Sequence, residues 1–345
     1  MALVNHERKR GNSFDMPAAT TEETRQARRN AVIGVVGVAM FAVLFLMAIL
    51  ILDSLPVGRT GDDIEVATSN MPTEPMYVLL IGSDSRKGTA LYTGKANEHA
   101  QVDQHSDIMT LMRIDPQTYT ITFVTIPRDT VTPGGTAKIN DNLLDNDPTK
   151  VVAAVEQLTG VEIGHYMMVD FTTFANLIDA LGGIDVDVPK TITVPDPATG
   201  KNLTVNAGEQ RHLNGAQALV LARARKDYDG DQDALRQMNV RAIEIAMVKK
   251  VLSFDGDLNI DWLLEILEEE VKTDLDLPIT GMVILDFVQH ADEVTFYSCT
   301  GPYEGAERQS DDLWVVRRND AAWTELMGAV DAGEDPSGIV ELPKF

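Results

Sequence analysis

The sequence contains a single cysteine, Cys299, among its 345 residues, and this scarcity excludes two kinds of structure. An internal disulfide needs two cysteines, and most structural zinc sites need two or more thiolates. Basic residues are also scarce, since 29 Lys and Arg stand against 53 Asp and Glu and give a formal net charge of −24. General nucleic-acid-binding proteins neutralise phosphates with a basic surface, so this balance argues against that function. No P-loop, GxSxG nucleophile elbow or fixed-period repeat occurs either.

Residues 31–52 form a run of 22 residues without a charged side chain. As a helix this run is about 33 Å long, enough to cross a hydrocarbon core of about 30 Å. A cleaved signal peptide is the alternative, but its apolar region is shorter and ends in small residues. Here Asp53, Ser54, Leu55 and Pro56 follow the run. We therefore expect a retained transmembrane helix.

The charges beside this run predict its orientation. Residues 1–30 hold six basic and four acidic residues, and Lys and Arg near a membrane span stay cytoplasmic. The expected arrangement is a single-pass protein of the cell membrane, with a cytoplasmic tail over 1–30 and residues 53–345 outside the cell. Residues 53–75, rich in Pro, Gly and acidic residues, are expected to form a linker. An exported domain with one cysteine suits a Gram-positive envelope better than an oxidising lumen.

Beyond residue 76 the hydrophobic pattern alternates between strands and helices. Residues 77–82 are a continuous apolar run, typical of a buried strand. Residues 108–114 and 119–126 flank a turn-forming segment, which predicts an antiparallel hairpin and therefore a mixed sheet in an α/β fold. Further strands are predicted over 184–188 and 294–298, a loop or hairpin over 195–208, and helices over 151–158, 171–181, 216–221, 234–252, 261–271, 281–290 and 320–330.

Charged side chains accumulate where the predicted strands end, which is where open α/β sheets place ligands. An accumulation of arginine in an acidic domain favours an anionic ligand, because the guanidinium fork binds phosphate oxygens in pairs. Ion pairs with the nearby aspartates, such as those over 227–233, are the alternative explanation. The residues concerned are Asp84, Arg86, Asp107, Arg128, Asp129, Lys138, Asn140, Arg223, Arg225 and Arg236.

Two of these residues, Asp84 and Asp107, are candidate Mg²⁺ ligands. Mg²⁺ takes one or two carboxylates and completes its octahedron with waters and substrate phosphate. A role in capping a helix or a turn is the alternative for both aspartates.

Several segments of the sequence resemble the motifs of the LytR-CpsA-Psr family of cell-wall glycopolymer ligases. The resemblance covers about residues 76–300 in an ordered series of segments. The segments are LLIGSDSR (79–86), SDIMTLMRIDP (106–116), TIPRDT (125–130), KIN (138–140), HYMMVDFTTFANLIDALGGIDVDVP (165–189), AGEQRHLNGAQALVLARAR (207–225) and VKTDLDLP (271–278).

The resemblance implies a fold, a reaction and a domain plan. The fold is a three-layer α/β/α sandwich with a central mixed sheet and a deep apolar tunnel for a polyprenyl chain. The reaction transfers a glycopolymer from a polyprenyl-pyrophosphate carrier to a peptidoglycan sugar hydroxyl, forming a phosphodiester, with pyrophosphatase activity as a possible side reaction. Residues 76–303 would be the catalytic domain and residues 304–345 a C-terminal extension that packs on it. The partners would be the lipid-linked glycopolymer, peptidoglycan and the membrane, without nucleic acid.

The resemblance also assigns roles to individual residues. Asp84 and Asp107 would hold Mg²⁺ or Mn²⁺ and, with Arg128, form the catalytic set. The general base is left open between Asp129 and a metal-bound aspartate. Residues that would surround the pyrophosphate or otherwise bind the substrate are Arg86, Arg128, Lys138, Asn140, Arg223, Arg225, Arg236 and Gln237.

The chain departs from the family pattern at two positions. His105 precedes Ser106 where the family has arginine, and Asp233 stands where the first arginine of an Arg-x-x-Arg-Gln motif is usual. One phosphate contact would then be absent or supplied from elsewhere. These departures leave a second function open, that of a non-catalytic polyprenyl-phosphate-binding or regulatory envelope protein. Transcription attenuation fits poorly, because the intracellular part has about 30 residues and no helix-turn-helix. Which glycopolymer would be moved, teichoic acid, capsule or another, is left open.

Overall fold

The computed structural model describes residues 72–83, 105–135, 137–143, 146–225, 232–253, 266, 269–275, 277–308 and 313–340. The strands are β1 (Met76–Ser83), β2 (Ser106–Asp115), β3 (Thr120–Thr125), β4 (His165–Val169), β5 (Ile184–Val188), β6 (Ile192–Pro195), β7 (Asn202–Val205), β8 (Gly208–Leu213), β9 (Lys272–Thr273), β10 (Thr295–Thr300), β11 (Gly305–Arg308) and β12 (Leu313–Val316). The helices are α1 (Pro148–Thr159), α2 (Phe171–Ala180), α3 (Gly215–Arg223), α4 (Gln232–Ser253), α5 (Leu277–Gln289) and α6 (Asp320–Asp331), with short 3₁₀ helices at Ile139–Asn142, Ala291–Glu293 and Pro336–Gly338.

Strand β1 lies inside the main sheet, whose strand order is β10-β3-β2-β1-β4-β9. It pairs antiparallel with β2, where Leu79 lies opposite Leu111, and parallel with β4, where Leu79 lies opposite Tyr166. Strand β3 runs antiparallel to β2, and β10 runs parallel to β3. The predicted α/β fold with a central mixed sheet is therefore confirmed.

The β2–β3 hairpin follows from its turn residues. Asp115 Oδ1 accepts hydrogen bonds from the backbone N–H groups of Gln117 and Thr118, at 3.0 and 3.3 Å. This side-chain bonding to the backbone two and three residues on is what makes aspartate a turn former. Because the two strands are antiparallel, the start of β2 lies beside the end of β3. The hairpin therefore brings residues near 107 and 128 to the same edge of the sheet.

The two faces of the sheet are buried to different extents. On the face toward α1 and α6, Leu79, Met109 and Leu111 are fully buried, together with Trp323 of α6. The opposite face is mostly apolar too, but five of its apolar side chains on the interior strands β1 and β2 are only partly buried: Met76, Leu80, Ile108, Met112 and Ile114. Interior strands covered by helices on both sides are normally buried on both faces. The sheet therefore presents an incompletely filled apolar face to the side of α4 and α5.

Helices α1 and α2 end where the sequence predicts, and α1 begins three residues earlier than predicted, at Pro148. Asp147 caps α1 by accepting from the N–H of Thr149, and the helix ends at Gly160, whose φ of +76° suits glycine. Asp170 caps α2 in the same way. The close approach of α3 to α2 depends on Gly215, since a Cβ there would lie 2.1 Å from the carbonyl oxygen of Ala175. The predicted helices over 151–158, 171–181, 216–221, 234–252, 281–290 and 320–330 are confirmed.

Some strands in the structure were not predicted from the sequence pattern. Strand β4 was not predicted, because HYMMV shows no alternation of apolar and polar residues. The hairpin of β11 and β12 was not predicted either, since its strands have four residues each. The helix expected over 261–271 falls largely outside the described residues.

The ends of the chain are described in part. The expected tail, transmembrane helix and most of the linker, residues 1–71, lie outside the described residues, so these boundaries stay predictions. None of the helices in the described part of the chain is long and apolar enough to cross a membrane. Within the C-terminal segment, α6 buries Trp323, Leu326 and Val330 against the sheet. Its last residue, Asp331, accepts a hydrogen bond from Tyr77 Oη of β1 at 3.1 Å.

Candidate functional site

The site is built first from the edge where β2 begins and β3 ends. Arg128 follows β3, and its Nη1 atom donates a hydrogen bond to Asp107 Oδ1 at the start of β2. The next residue, Asp129, is buried and accepts a hydrogen bond of 2.7 Å from Lys138 Nζ. The Arg128 Nε atom lies 3.6 Å from Asp129 Oδ2. Two cations and two carboxylates therefore alternate along this edge.

The backbone around Arg128 is held from two sides. The N–H of Asn140 donates to the carbonyl oxygen of Arg128 at 3.2 Å, and the N–H of Val316 in β12 donates to that of Asp129 at 2.9 Å. The β11–β12 hairpin, which the sequence did not predict, thus helps to fix the loop that carries Arg128. The side-chain Oδ1 of Asn140 is buried and has no hydrogen-bond partner within the described structure.

A third contribution comes from the first turn of α4. Asp233 Oδ1 lies 3.1 Å from Arg236 Nε and 3.3 Å from Arg225 Nη2. It also lies 3.8 Å from Arg128 Nε. Asp233 Oδ2 accepts a hydrogen bond of 2.8 Å from Gln237 Nε2. Asp233 thereby joins the edge of the sheet to α4. We refer to Asp107, Arg128, Asp129, Lys138, Arg225, Asp233 and Arg236 as the charged cluster.

The electrostatics of the cluster favour ionised side chains. Burial acts to raise the pKa of Asp233, but Arg236, the hydrogen bond from Gln237, Arg128 and Arg225 together hold it below its ordinary value. Burial likewise acts to lower the pKa of Arg128, and the nearby carboxylates Asp107, Asp129 and Asp233 outweigh this and raise it. A buried charge is tolerated only when it is paired, and here each sign stabilises the other.

The structure brings most of the predicted site residues together. Asp107, Arg128, Lys138, Arg225 and Arg236 lie in the charged cluster, with Gln237 bonded to it. Arg223 is the last residue of α3, and its guanidinium lies 4.9 Å from the ring centroid of Phe171. Asp84 and Arg86 lie outside the described residues. His105 Nε2 lies 3.6 Å from Asp141 Oδ1.

Two buried side chains that the sequence did not single out lie further along α4. Arg241 Nη1 donates a hydrogen bond of 2.8 Å to Thr125 Oγ1 on the partly filled face of the sheet. Glu244, one turn later, is buried, and this burial raises its pKa to about 8. Their spacing in the sequence is the feature that points to these two side chains. Gln237, Arg241 and Glu244 recur at helical intervals and therefore lie on one face of α4.

Glu244 makes stability depend on pH with a predictable sign. In the unfolded chain its carboxyl ionises near 4.5, whereas in the folded protein it keeps its proton to about 8. Glu244 therefore lowers the free energy of unfolding progressively as pH rises from about 5 to 8. We expect Glu244→Gln to match the wild type near pH 5 and to be clearly more stable at pH 8. Urea unfolding at several pH values measures this, and parallel pH curves for the two proteins would contradict the prediction.

A cavity of about 250 Å³ adjoins this part of α4. It lies between Met238, Arg241 and Ile245 of the helix and Ser298 to Thr300 of β10. Thr300 Oγ1 donates a hydrogen bond of 3.0 Å to Gln237 Oε1, so the cavity begins within one helical turn of the charged cluster. Gln237, which also bonds to Asp233, therefore connects the charged cluster to the wall of this cavity.

The carboxylates fit a magnesium site better than a closed metal centre. No group of three or more His, Cys, Asp or Glu side chains that could hold a metal occurs in the described ranges. Mg²⁺ does not require one, because it takes one or two carboxylates and completes its shell with water and phosphate oxygens. Asp107, with a side chain 30% exposed, has the donor type and the accessibility for this role.

Comparison with known proteins identifies the family to which this chain belongs. The LytR_cpsA_psr family model matches residues 58–325. The chain belongs to the LytR-CpsA-Psr family.

Relatives within the family have named activities. The polyisoprenyl-teichoic acid–peptidoglycan teichoic acid transferase TagU of Bacillus mycoides (strain KBAB4) is 31% identical over 285 residues, which cover 80% of this chain and 85% of the relative. The corresponding transferase TagV of Bacillus subtilis (strain 168) is 33% identical over 213 residues, 60% of this chain and 51% of the relative.

Solved structures of other proteins share the fold. The crystal structure of B. subtilis TagV superposes with a TM-score of 0.60 at 25% identity and covers 76% of this chain and 98% of that one. TagT bound to LI-WTA has a TM-score of 0.59 at 19% identity, covers 81% and 96% of the two chains, and shows the fold alone.

Proposed function

We propose that this LytR-CpsA-Psr protein is a phosphotransferase that moves a glycopolymer from a polyprenyl-pyrophosphate carrier to a sugar hydroxyl of peptidoglycan. The observation that carries the proposal is the convergence of Arg128, Lys138, Arg225 and Arg236 in the charged cluster, beside an incompletely filled apolar face. A lipid diphosphate needs both surfaces, cations for its phosphates and an apolar channel for its chain. The names of the relatives TagU and TagV, both teichoic acid transferases, support the same reaction.

The reaction breaks one bond and makes one. The acceptor hydroxyl attacks the phosphorus that carries the glycopolymer, the bridging P–O bond breaks, and polyprenyl phosphate leaves with the bridging oxygen. The new phosphodiester joins glycopolymer and peptidoglycan, and the hydroxyl proton passes to a base. Phosphoryl transfer depends on positioning and charge neutralisation more than on covalent help from the protein. The guanidinium groups of Arg128, Arg225 and Arg236 would bind and orient the diphosphate, and Asp129 or a metal-bound aspartate would accept the proton.

The charge balance of the cluster supports a metal requirement. The cluster holds four cations and three carboxylates, those of Asp107, Asp129 and Asp233, so its net charge is only about +1. This charge alone does not neutralise a diphosphate, and a bound divalent cation would supply the rest. We propose that Asp107 and Asp84 hold Mg²⁺ or Mn²⁺. Asp84 follows Ser83 in the sequence, and Ser83 pairs in the sheet with Ser106, the neighbour of Asp107. When bound, the ion would neutralise charge on the phosphate oxygens.

The partly filled face of the sheet is proposed to hold the polyprenyl chain. Leu80, Ile108, Met112 and Ile114 offer it apolar side chains that the protein itself leaves partly uncovered. Each buried CH₂ group of a lipid contributes about 0.8 kcal/mol, so even a short buried stretch of chain would add substantially to binding.

The placement of the protein in the cell is a further part of the proposal. Residues 31–52 would cross the cell membrane of a Gram-positive bacterium, with residues 1–30 in the cytoplasm and the catalytic domain outside. Protease added to cell-wall-stripped cells should then degrade the domain and spare the tail. Protection of the domain would refute this orientation.

The direct test is turnover by the full-length chain in detergent. With Mg²⁺, a polyprenyl-pyrophosphate-linked glycopolymer and soluble peptidoglycan, we expect release of polyprenyl phosphate and a glycopolymer–peptidoglycan product by mass spectrometry. EDTA should stop the reaction and added Mg²⁺ or Mn²⁺ should restore it. Slow release of polyprenyl phosphate and glycopolymer phosphate without acceptor, with water as the attacking group, would reveal the pyrophosphatase side activity. Tight lipid binding without turnover, whatever the metal, would instead establish a non-catalytic carrier-binding protein.

A further inference from the structure

A single carboxylate oxygen occupies the centre of the charged cluster. Asp233 Oδ1 lies 3.1 Å from Arg236 Nε, 3.3 Å from Arg225 Nη2 and 3.8 Å from Arg128 Nε. Asp233 is only 6% exposed, and its second oxygen is bonded to Gln237 Nε2. Three guanidinium groups from three separate segments thus surround one anionic oxygen.

Asp233 has more cationic partners than an acidic residue at the start of α4 needs. An acidic residue in the first turn of a helix is stabilised by the helix dipole and the free N–H groups alone. Arg225 comes instead from the segment after α3, and Arg128 from the loop after β3. Arg236 and Arg128 are largely withdrawn from water, and such cations need a partner of opposite charge when no ligand supplies one.

We propose that Asp233 is a resident anion of the phosphate site. In the ligand-free protein its Oδ1 takes the place of a phosphoryl oxygen among Arg128, Arg225 and Arg236. The substrate diphosphate must replace it, so Asp233 lowers the affinity for diphosphate and hastens the release of polyprenyl phosphate. The inference rests on the proposed function, because it takes the cluster to be the site of the diphosphate. Asp233 contacts the arginines and not the reacting atoms, so it competes with the ligand and is not a catalytic residue.

The test measures the dissociation constant of inorganic pyrophosphate with Mg²⁺ by isothermal titration calorimetry on the full-length chain in detergent. Asp233→Asn keeps the size of the side chain and removes its charge. We expect it to bind pyrophosphate at least tenfold more tightly than the wild type, since three arginines lose their competing partner.

Two variants control for charge and for shape. Asp292→Asn changes the net charge equally at an exposed carboxylate in the 3₁₀ helix Ala291–Glu293, and its affinity should equal that of the wild type. Asp233→Glu keeps the charge, so its affinity should stay close to that of the wild type. If Asp233→Asn does not fold, the smaller neutral Asp233→Ser replaces it in the same comparison.

The outcomes separate this inference from the proposed function. If a folded neutral variant binds pyrophosphate as weakly as the wild type, or more weakly, Asp233 organises the arginines rather than competing with the ligand, and the inference is overturned. Tight binding by Asp233→Glu would overturn it as well. If the wild type binds pyrophosphate and Arg128→Ala does not, the phosphate site stands whatever Asp233 does. If neither the wild type nor the Asp233 variants bind, the proposed function and the inference fail together.

Discussion

Replacing Arg128 with alanine is expected to lower the rate of glycopolymer transfer at least a hundredfold. Its guanidinium contacts Asp107 and lies close to both Asp129 and Asp233, so it links all three carboxylates of the charged cluster. Loss of a single preorganised group that stabilises developing charge costs roughly 100- to 1,000-fold in rate. Turnover in the assay with Mg²⁺, lipid-linked donor and peptidoglycan measures the effect.

An arginine outside the site provides the control for Arg128. Arg317 pairs with Glu304 at 3.3 Å, and both side chains are largely exposed. Arg317→Ala should therefore keep the activity of the wild type, and Arg128→Lys should recover part of it because it restores the charge without the planar fork. Circular dichroism checks that each variant is folded. Activity of a folded Arg128→Ala variant above a tenth of the wild-type rate would remove Arg128 from the mechanism.

Replacing Leu80 with tryptophan is expected to block binding of the polyprenyl chain while preserving the fold. Leu80 is partly uncovered on the face that lies toward α4, and it is opposite Thr110, which in turn is opposite Thr125. A larger ring would fill the space that the lipid needs. We expect affinity for a polyprenyl phosphate to fall at least tenfold and affinity for inorganic pyrophosphate to be unchanged, both by titration calorimetry.

The neighbouring residue is the matched control for this substitution. Leu79 points to the opposite face and is fully buried in the core with Met109 and Leu111. Leu79→Trp should destabilise the protein by about 1–3 kcal/mol or more through overpacking, as measured by urea unfolding. If Leu80→Trp is destabilised equally, or if it binds the lipid as the wild type does, the space beside Leu80 is not the lipid channel.

The fold was predictable in its local parts. The turn-forming residues 115–118 and the apolar periodicity of the helices act over short distances along the chain, and the corresponding hairpin and helices are confirmed. Strand β4 was not predictable in this way. It forms because the neighbouring strand β1 supplies its hydrogen bonds, and no residue within HYMMV indicates which strand that partner is.

The candidate site was predictable in its membership and less so in its arrangement. The sequence motifs contain Asp107, Arg128, Arg225 and Arg236 as candidate site residues. The ion pairs with aspartate, stated as the alternative to an anion site, are also present, and Asp233 is their centre. The ion-pair explanation therefore holds for these arginines, and the proposed anion site would use the same side chains. Arg223 and Arg225 were both expected to bind the substrate, and the structure adds that α3 ends at Arg223, whose guanidinium packs on Phe171.

The sequence by itself determined the family, the alternation of strands and helices, and the types of residue available for a lipid diphosphate. These properties depend on residue chemistry and on spacing along one segment. Only the tertiary structure decided that Asp233 meets three arginines, that Glu244 is buried, and that one face of the sheet stays incompletely filled. Such contacts join segments far apart in the chain, and their geometry follows from how helices and sheet pack together rather than from any local preference.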